Sequence, residues 1–261
     1  MTLTTQDHWD SFWKNLKLPQ KVDISFSNDR VIAEFIKKHA GLKFAKSKRA
    51  LEVGCAPGKW MVYLNKELHY QVEGCEYLHS AAVTTKRNLS LCDVSMFKIH
   101  EGDFVTHDFG ETKYDLIIAL GFIEHFDRPD IIIRKMQYLL NKGGILIIGI
   151  PNLNGLNHFF AKQVDKSGVK NKLLPHHNLR IMNLCFFEDV WKVLGLTPLQ
   201  ISYVGGFEPA MFDISKCPIW VKAIYYYSIL KYTGRIAKWF GFGWYSSYIM
   251  AAYQHDVPKT L

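Results

Sequence analysis

The chain has no dense basic block, no paired cysteines and no apolar run long enough to cross a bilayer, and each absence removes a class of function. Net charge is +8, yet the Lys and Arg residues are spread along the whole length, so nothing marks an arm for nucleic acid. The five cysteines (Cys55, Cys75, Cys92, Cys185 and Cys217) contain no Cys-x-x-Cys pair and no zinc-ligand spacing. An odd, scattered set of this kind fits reduced cytosolic thiols better than a disulfide frame. The opening residues Met1 to Asp7 have neither the basic nor the apolar region of a secretory leader. The expectation is a cytoplasmic protein without a nucleic-acid partner. What is present is ordinary for a globular fold: 261 residues, 48% apolar and 21% charged, enough to bury one sizeable core.

The most informative stretch is Leu51 to Trp60, Leu-Glu-Val-Gly-Cys-Ala-Pro-Gly-Lys-Trp. It reads as the end of a buried strand, a Gly/Pro turn and the start of a helix, the arrangement by which α/β folds bring a ligand against backbone at a strand's carboxyl end. Two glycine-loop chemistries are missing from it. A dinucleotide loop needs G-x-G-x-x-G, but Ala56 and Lys59 stand where its second and third glycines belong. A phosphate-cradling loop needs four residues between its glycines and then Lys-Ser/Thr, but Gly54 and Gly58 are three apart and Lys59 is followed by Trp60. A second strand, Gln71 to Glu76, ends in an acid eighteen positions after Gly58. That is close to the ~20-residue spacing at which nucleotide-binding α/β units place a carboxylate on ribose hydroxyls.

Glu52-Val-Gly54-Cys-Ala56-Pro-Gly58 resembles the E/D-x-G-x-G-x-G loop of class I S-adenosyl-L-methionine (SAM)-dependent methyltransferases, with Ala at the middle glycine. Three later segments extend the likeness. Gly102-Asp103-Phe104 is similar to the family's third motif, and Tyr114 to Phe126 is similar to its Phe-Asp-(apolar run)-x-x-(Leu/Ile)-Glu-His segment in enzymes acting on quinones and sugars. Leu140-Asn-Lys-Gly143-Gly144 matches the L-x-P-G-G turn, with Lys142 in place of Pro. The resemblance implies SAM as cofactor, contacted by Glu52, Gly54, Cys55, Ala56, Gly58, Glu76, Tyr77, Asp103, Phe104 and Leu120. Within that set Glu76 would take the ribose, Asp103 the adenine amine, and the backbone or ring of Phe104 would border the base.

The elements alternate as strands and helices, so the expected fold is a Rossmann-like, doubly wound, mostly parallel seven-stranded α/β sheet in one domain of 261 residues. Its parts would be N-terminal lid helices (1–40), a SAM-binding core (48–152), and a substrate loop, helix and sixth strand (153–204). A helical insertion (205–245) would precede the last strand (246–261). Trp9, Phe12, Trp13 and Leu16 fall on one helical face, and Ser27 and Asn28 are candidate caps for a helix from Asp29 to His39. Residues 153–180, rich in Asn and basic residues, read as an irregular substrate loop. The aromatic segment 216–240 carries Lys231, Arg235 and Lys238 on one side, a pattern compatible with peripheral contact at a membrane surface.

SAM presents an electrophilic methyl, so the chain must align an acceptor and remove a proton if that acceptor is a hydroxyl. His125, after the fourth strand, is the candidate base, with His176 and His177 as alternatives. Glu124 and these histidines could together hold a metal ion, but no ligand spacing supports one, and no metal is expected. The acceptor expected is a small molecule, a sugar, glycan or lipid-linked intermediate ahead of a quinol or an amino sugar. A SAM-binding protein without turnover is the reading from another class. Oligomeric state is not legible.

Overall fold

The computed structural model describes residues 3, 16–41, 47–169, 172–233 and 241–255. Seven strands form one sheet: β1 (Arg49–Val53), β2 (Gln71–Glu76), β3 (Phe97–Glu101), β4 (Tyr114–Leu120), β5 (Leu140–Pro151), β6 (Leu196–Val204) and β7 (Tyr248–His255). Their order is β3-β2-β1-β4-β5-β7-β6. Strands β1 to β5 are mutually parallel where paired, and β7 inserts antiparallel between β5 and β6. This is the expected doubly wound α/β sheet. The order reverses beside β1, between strands that cross over in opposite directions, and such a switch point opens a crevice at the strands' carboxyl ends.

The near-continuous apolar run of β4 is explained by burial on both faces. On one side the core gathers Leu51, Ile117, Ile148 and Phe160; on the other it gathers Ile36, Met61, Leu116 and Ile147. Helices α1 (Ser27–Ala40), α2 (Lys59–Lys66), α3 (His79–Leu91), α4 (Pro129–Leu139), α5 (Gly155–Lys166), α6 (Leu184–Leu194) and α7 (Ile219–Tyr232) supply the outer layers. The last of these is the helical insertion before the final strand.

Three local expectations need correction. Ser27 and Asn28 do not cap α1: the Ser27 hydroxyl donates to Glu208, and Asn28 Oδ1 accepts from the Ser247 hydroxyl at 2.6 Å, so both side chains tie the helix to the C-terminal region instead. Residues 153–180 are not irregular throughout. Leu156, Phe160 and Val164 recur at helical spacing and are buried, which makes α5 a packed helix. From sequence the sixth strand is expected over Leu199 to Val204, but β6 begins at Leu196; Pro198 is tolerated because β6 is an edge strand and the register shifts beside it. Trp9, Phe12 and Trp13 of the helical face expected near the N-terminus, and Arg235 and Lys238, lie outside the described residues; Leu16 is described and is not helical. Among the described residues no helix is long and apolar enough to cross a membrane.

Candidate active site

The loop between β1 and α2 is shaped by two glycines. Gly54 has φ +71°, and a Cβ there would meet the Phe122 ring at 2.6 Å. Gly58 has φ +88°, and a Cβ would meet the Thr85 side chain at 2.9 Å, so neither position accepts a side chain without displacement. The amides of Gly54 and Cys55 donate to the Cys75 carbonyl, which fastens the loop to the end of β2.

Glu76 completes that fastening. Its Oε2 accepts from the Ala56 amide at 3.3 Å and its Oε1 from the Leu78 amide at 3.1 Å. Burial pushes this carboxyl upward, while the Leu78, Ala56 and Tyr77 amides oppose the shift. Glu52, at the end of β1, is buried, and its Oε2 has no hydrogen-bond partner among the described residues. Burial holds its carboxyl well above the usual range; the Met61 amide and the Lys59 charge pull the other way, and Glu76 adds to the rise.

Beside the loop lies a cavity of about 960 Å³, at the upper end of the ~300–1,000 Å³ of small-molecule sites. Glu52, Gly54, Ala56, Lys59, Leu120 and Tyr248 line it, and the segment around Pro19 to Phe26 forms an opposite wall. Lys59 is held by Asp29 of α1 at 2.7 Å, which joins the loop helix to that wall.

The residues expected to bind cofactor therefore divide. Glu52, Gly54, Ala56 and Leu120 line the cavity; Gly58 caps α2 behind it, and Glu76 touches the loop through Ala56. The Cys55 thiol turns away from the cavity into the core, where it lies against Gly74. Tyr77 is exposed beyond the end of β2. Asp103 is half-buried, and its Oδ1 accepts from the Val105 amide at 2.9 Å in a turn after β3. The Phe104 ring is buried against Phe109 and Phe122, which leaves its backbone rather than its ring facing outward. Sequence reasoning missed Tyr248, Lys59 and the 19–26 wall. Lys59 directly follows Gly58, but nothing local signals the other two, because β7 and the N-terminal segment reach the site only through the fold.

A second cluster follows β4. Phe122 packs on Gly54, and the turn Ile123–His125 then carries Glu124 and His125, both buried. The Glu124 carboxyl is pushed up to about 8 by burial. Its Oε1 lies 3.8 Å from His125 Nε2, and its buried Oε2 has no partner among the described residues. The His125 and His177 rings are 4.8 Å apart, centre to centre. His176 meets His125 through its backbone carbonyl, and its own ring nitrogen lies 3.4 Å from the Leu3 carbonyl. Tyr248 joins the two regions: it lines the cavity, and its hydroxyl is pushed up by burial and then by the charges of Glu124, Asp29 and Glu208.

Comparison with known proteins gives the family. Residues 26–200 match the model of a methyltransferase domain. A carboxy-S-adenosyl-L-methionine synthase from Helicobacter pylori (strain ATCC 700392 / 26695) is 23% identical over 119 residues, 45% of this chain and 49% of that protein. The chain thus spans about half the length of the curated relative it matches. A Bacillus halodurans C-125 methyltransferase candidate has a similar fold, with TM-score 0.60 and 13% identity over 86% of this chain and 99% of that one. Phosphoethanolamine N-methyltransferase 2 of Haemonchus contortus, in complex with SAM, gives TM-score 0.58 and 15% identity over 86% of this chain and 52% of that one. The matched span takes in the glycine loop, β2, β4 and β5, and on that ground the chain belongs to the methyltransferase domain family of SAM-dependent enzymes.

Proposed function

We propose that the chain binds SAM in the cavity above the glycine loop and transfers its methyl group to a hydroxyl of a small-molecule acceptor, a sugar, glycan or lipid-linked intermediate. The observation that carries this reading is Glu52: a buried carboxylate with one oxygen lacking a partner among the described residues, at the floor of a ligand-sized cavity. A buried, unmatched carboxylate is costly in an empty site and is compensated when a cation arrives. SAM supplies such a cation in its ammonium group, and its sulfonium makes the methyl electrophilic.

The chain's own groups have distinct tasks. Gly54 and Ala56 let the ligand approach the loop backbone, with Glu52 as counter-charge. Glu76, already shaping the loop through Ala56, borders the ribose position, and Asp103 lies at the next strand end for the base. SAM held there would supply an electrophilic methyl group for in-line transfer to the acceptor oxygen, and Glu124, His125 and His177 would take up the proton that a hydroxyl acceptor must lose. That cluster favours a hydroxyl acceptor, which needs its proton removed, over an amine, which needs less.

The outer face of α7 bears exposed Ile219, Trp220, Tyr226, Tyr227 and Leu230, with Lys222 and Lys231 on the same helix. Such a surface suits the anionic membrane on which a lipid-linked acceptor resides. The test is mass spectrometry of acceptor panels (sugars, polyprenyl-linked glycans, quinols) incubated with the chain and SAM. A methyl gained on a sugar hydroxyl supports the reading. Tight SAM binding without methyl loss on any panel, or transfer only to quinols or amines, overturns the acceptor assignment.

A further inference from the structure

The region after β4 holds more than a base. Glu124, His125 and His177 each offer one ligand atom, and those atoms all lie within 4.8 Å of one another. The tautomers are fixed by their surroundings. His125 Nδ1 lies 2.8 Å from the His176 carbonyl, and His177 Nδ1 lies 2.7 Å from the Leu173 carbonyl. A carbonyl can only accept, so Nδ1 carries the proton in both rings and the lone pair of each neutral imidazole sits on Nε2. For His125, Nε2 is the atom facing Glu124. An imidazole that donates its other N–H to a backbone carbonyl is the usual setting of a metal-bound histidine.

The carboxylate gives an independent observation. Glu124 is 1% exposed, and its buried Oε2 lacks a partner among the described residues. The backbone around the cluster is braced from several directions. The Asn178 amide donates to the Glu124 carbonyl at 2.7 Å, and the Asn178 side chain donates to the Phe126 carbonyl at 3.0 Å. Asp165 accepts from the amides of Leu173 and Leu174, holding the turn that presents His177.

We propose that Glu124, His125 and His177 form a binding site for one divalent transition-metal ion of the zinc class. Two imidazole nitrogens and one carboxylate oxygen suit Zn²⁺, Co²⁺ or Fe²⁺ better than the all-oxygen preference of Ca²⁺ or Mg²⁺. Metal–ligand bonds of about 2.0–2.1 Å in tetrahedral geometry place donors roughly 3.4 Å apart, so the three close by about an ångström through side-chain rotation. Three protein ligands leave a position for an acceptor oxygen, whose proton the ion then makes easier to remove. The site thus rests on the hydroxyl-transfer reading above and deepens it: the ion, rather than a histidine base, activates the acceptor.

The test uses the untagged full chain, stripped with chelator and titrated with Co²⁺ alone, followed by visible absorption and calorimetry. The expected result is one Co²⁺ per chain with the d–d bands of mixed nitrogen and oxygen ligation. His177→Ala and Glu124→Gln should each weaken binding at least tenfold. His177 stands on a half-buried turn, so its variant remains folded and informative if the Glu124 variant does not. Absence of stoichiometric Co²⁺ binding, or equal binding by His177→Ala, overturns the proposal. SAM affinity of the stripped protein separates the two readings. SAM bound without Co²⁺ removes the metal site and leaves the cofactor cavity, whereas Co²⁺ bound without SAM does the reverse.

Discussion

Replacing Glu52 with Gln isolates the charge at the floor of the cavity. The substitution keeps the shape and one acceptor for the Met61 amide, and it removes a carboxylate that burial holds well above its usual pKa. Without cofactor, burial already favours the neutral form of the Glu52 carboxyl, so exchange for a neutral amide of the same shape changes stability little. With cofactor, the variant loses a hydrogen bond to a charged group worth about 1.5–3 kcal/mol, equivalent to roughly 10–100-fold in Kd. Proton linkage gives a further signature. A bound cation favours the ionised carboxylate, so wild-type binding releases a proton, and affinity falls as pH drops below the Glu52 pKa of the empty site. Calorimetry in two buffers of different ionisation enthalpy reads this release directly, and Glu52→Gln should abolish it. A variant that binds SAM as tightly as wild type, with the same proton release, refutes the reasoning.

Other outcomes follow from the same geometry. Gly54→Ala should lower stability by about 2 kcal/mol, from the left-handed backbone and the Phe122 contact, and should abolish SAM binding; urea unfolding and calorimetry test both. Burial alone would raise the Glu73 carboxyl, but hydrogen bonds from His100, Arg49 and Tyr114 outweigh it and hold it down at about 2. The stability this depressed carboxyl contributes, about 3 kcal/mol from the shift, is present above the unfolded value near 4.5 and lost as pH falls through about 2. Glu73→Gln should remove that part of the acid dependence in urea titrations between pH 5 and 2; an unchanged slope contradicts it. Trp220→Ser with Leu230→Ser should reduce sedimentation with anionic vesicles severalfold while leaving SAM affinity unaltered, and equal sedimentation would free α7 of a membrane role.

What could be read in the sequence was what depends on local pattern. The apolar run Tyr114 to Leu120 announces a strand covered on both faces, and Gly54 and Gly58 announce a turn because a side chain fits at neither. Helix α5 was hidden because Asn157 and His158 interrupt its apolar face. The Asn157 amide is in fact buried and donates to the carbonyls of Asn152 and Ser246. Ser27 and Asn28 have the chemistry of caps, but tertiary partners at Glu208 and Ser247 compete for them. Glu124 and His125 are separated from His177 by α4, β5 and α5. No spacing rule reaches that far; hydrogen bonds of Asn178, Asp165 and the His176 carbonyl bring the ligands together.

A crystal structure of the chain with S-adenosylhomocysteine tests the placement of the cofactor most directly. The ligand is expected above Gly54 with its ammonium on Glu52 Oε2, its ribose at Glu76 and its sulfur toward Glu124 and His125. Density for the ligand elsewhere, or an ammonium that leaves Glu52 without a partner, would contradict it.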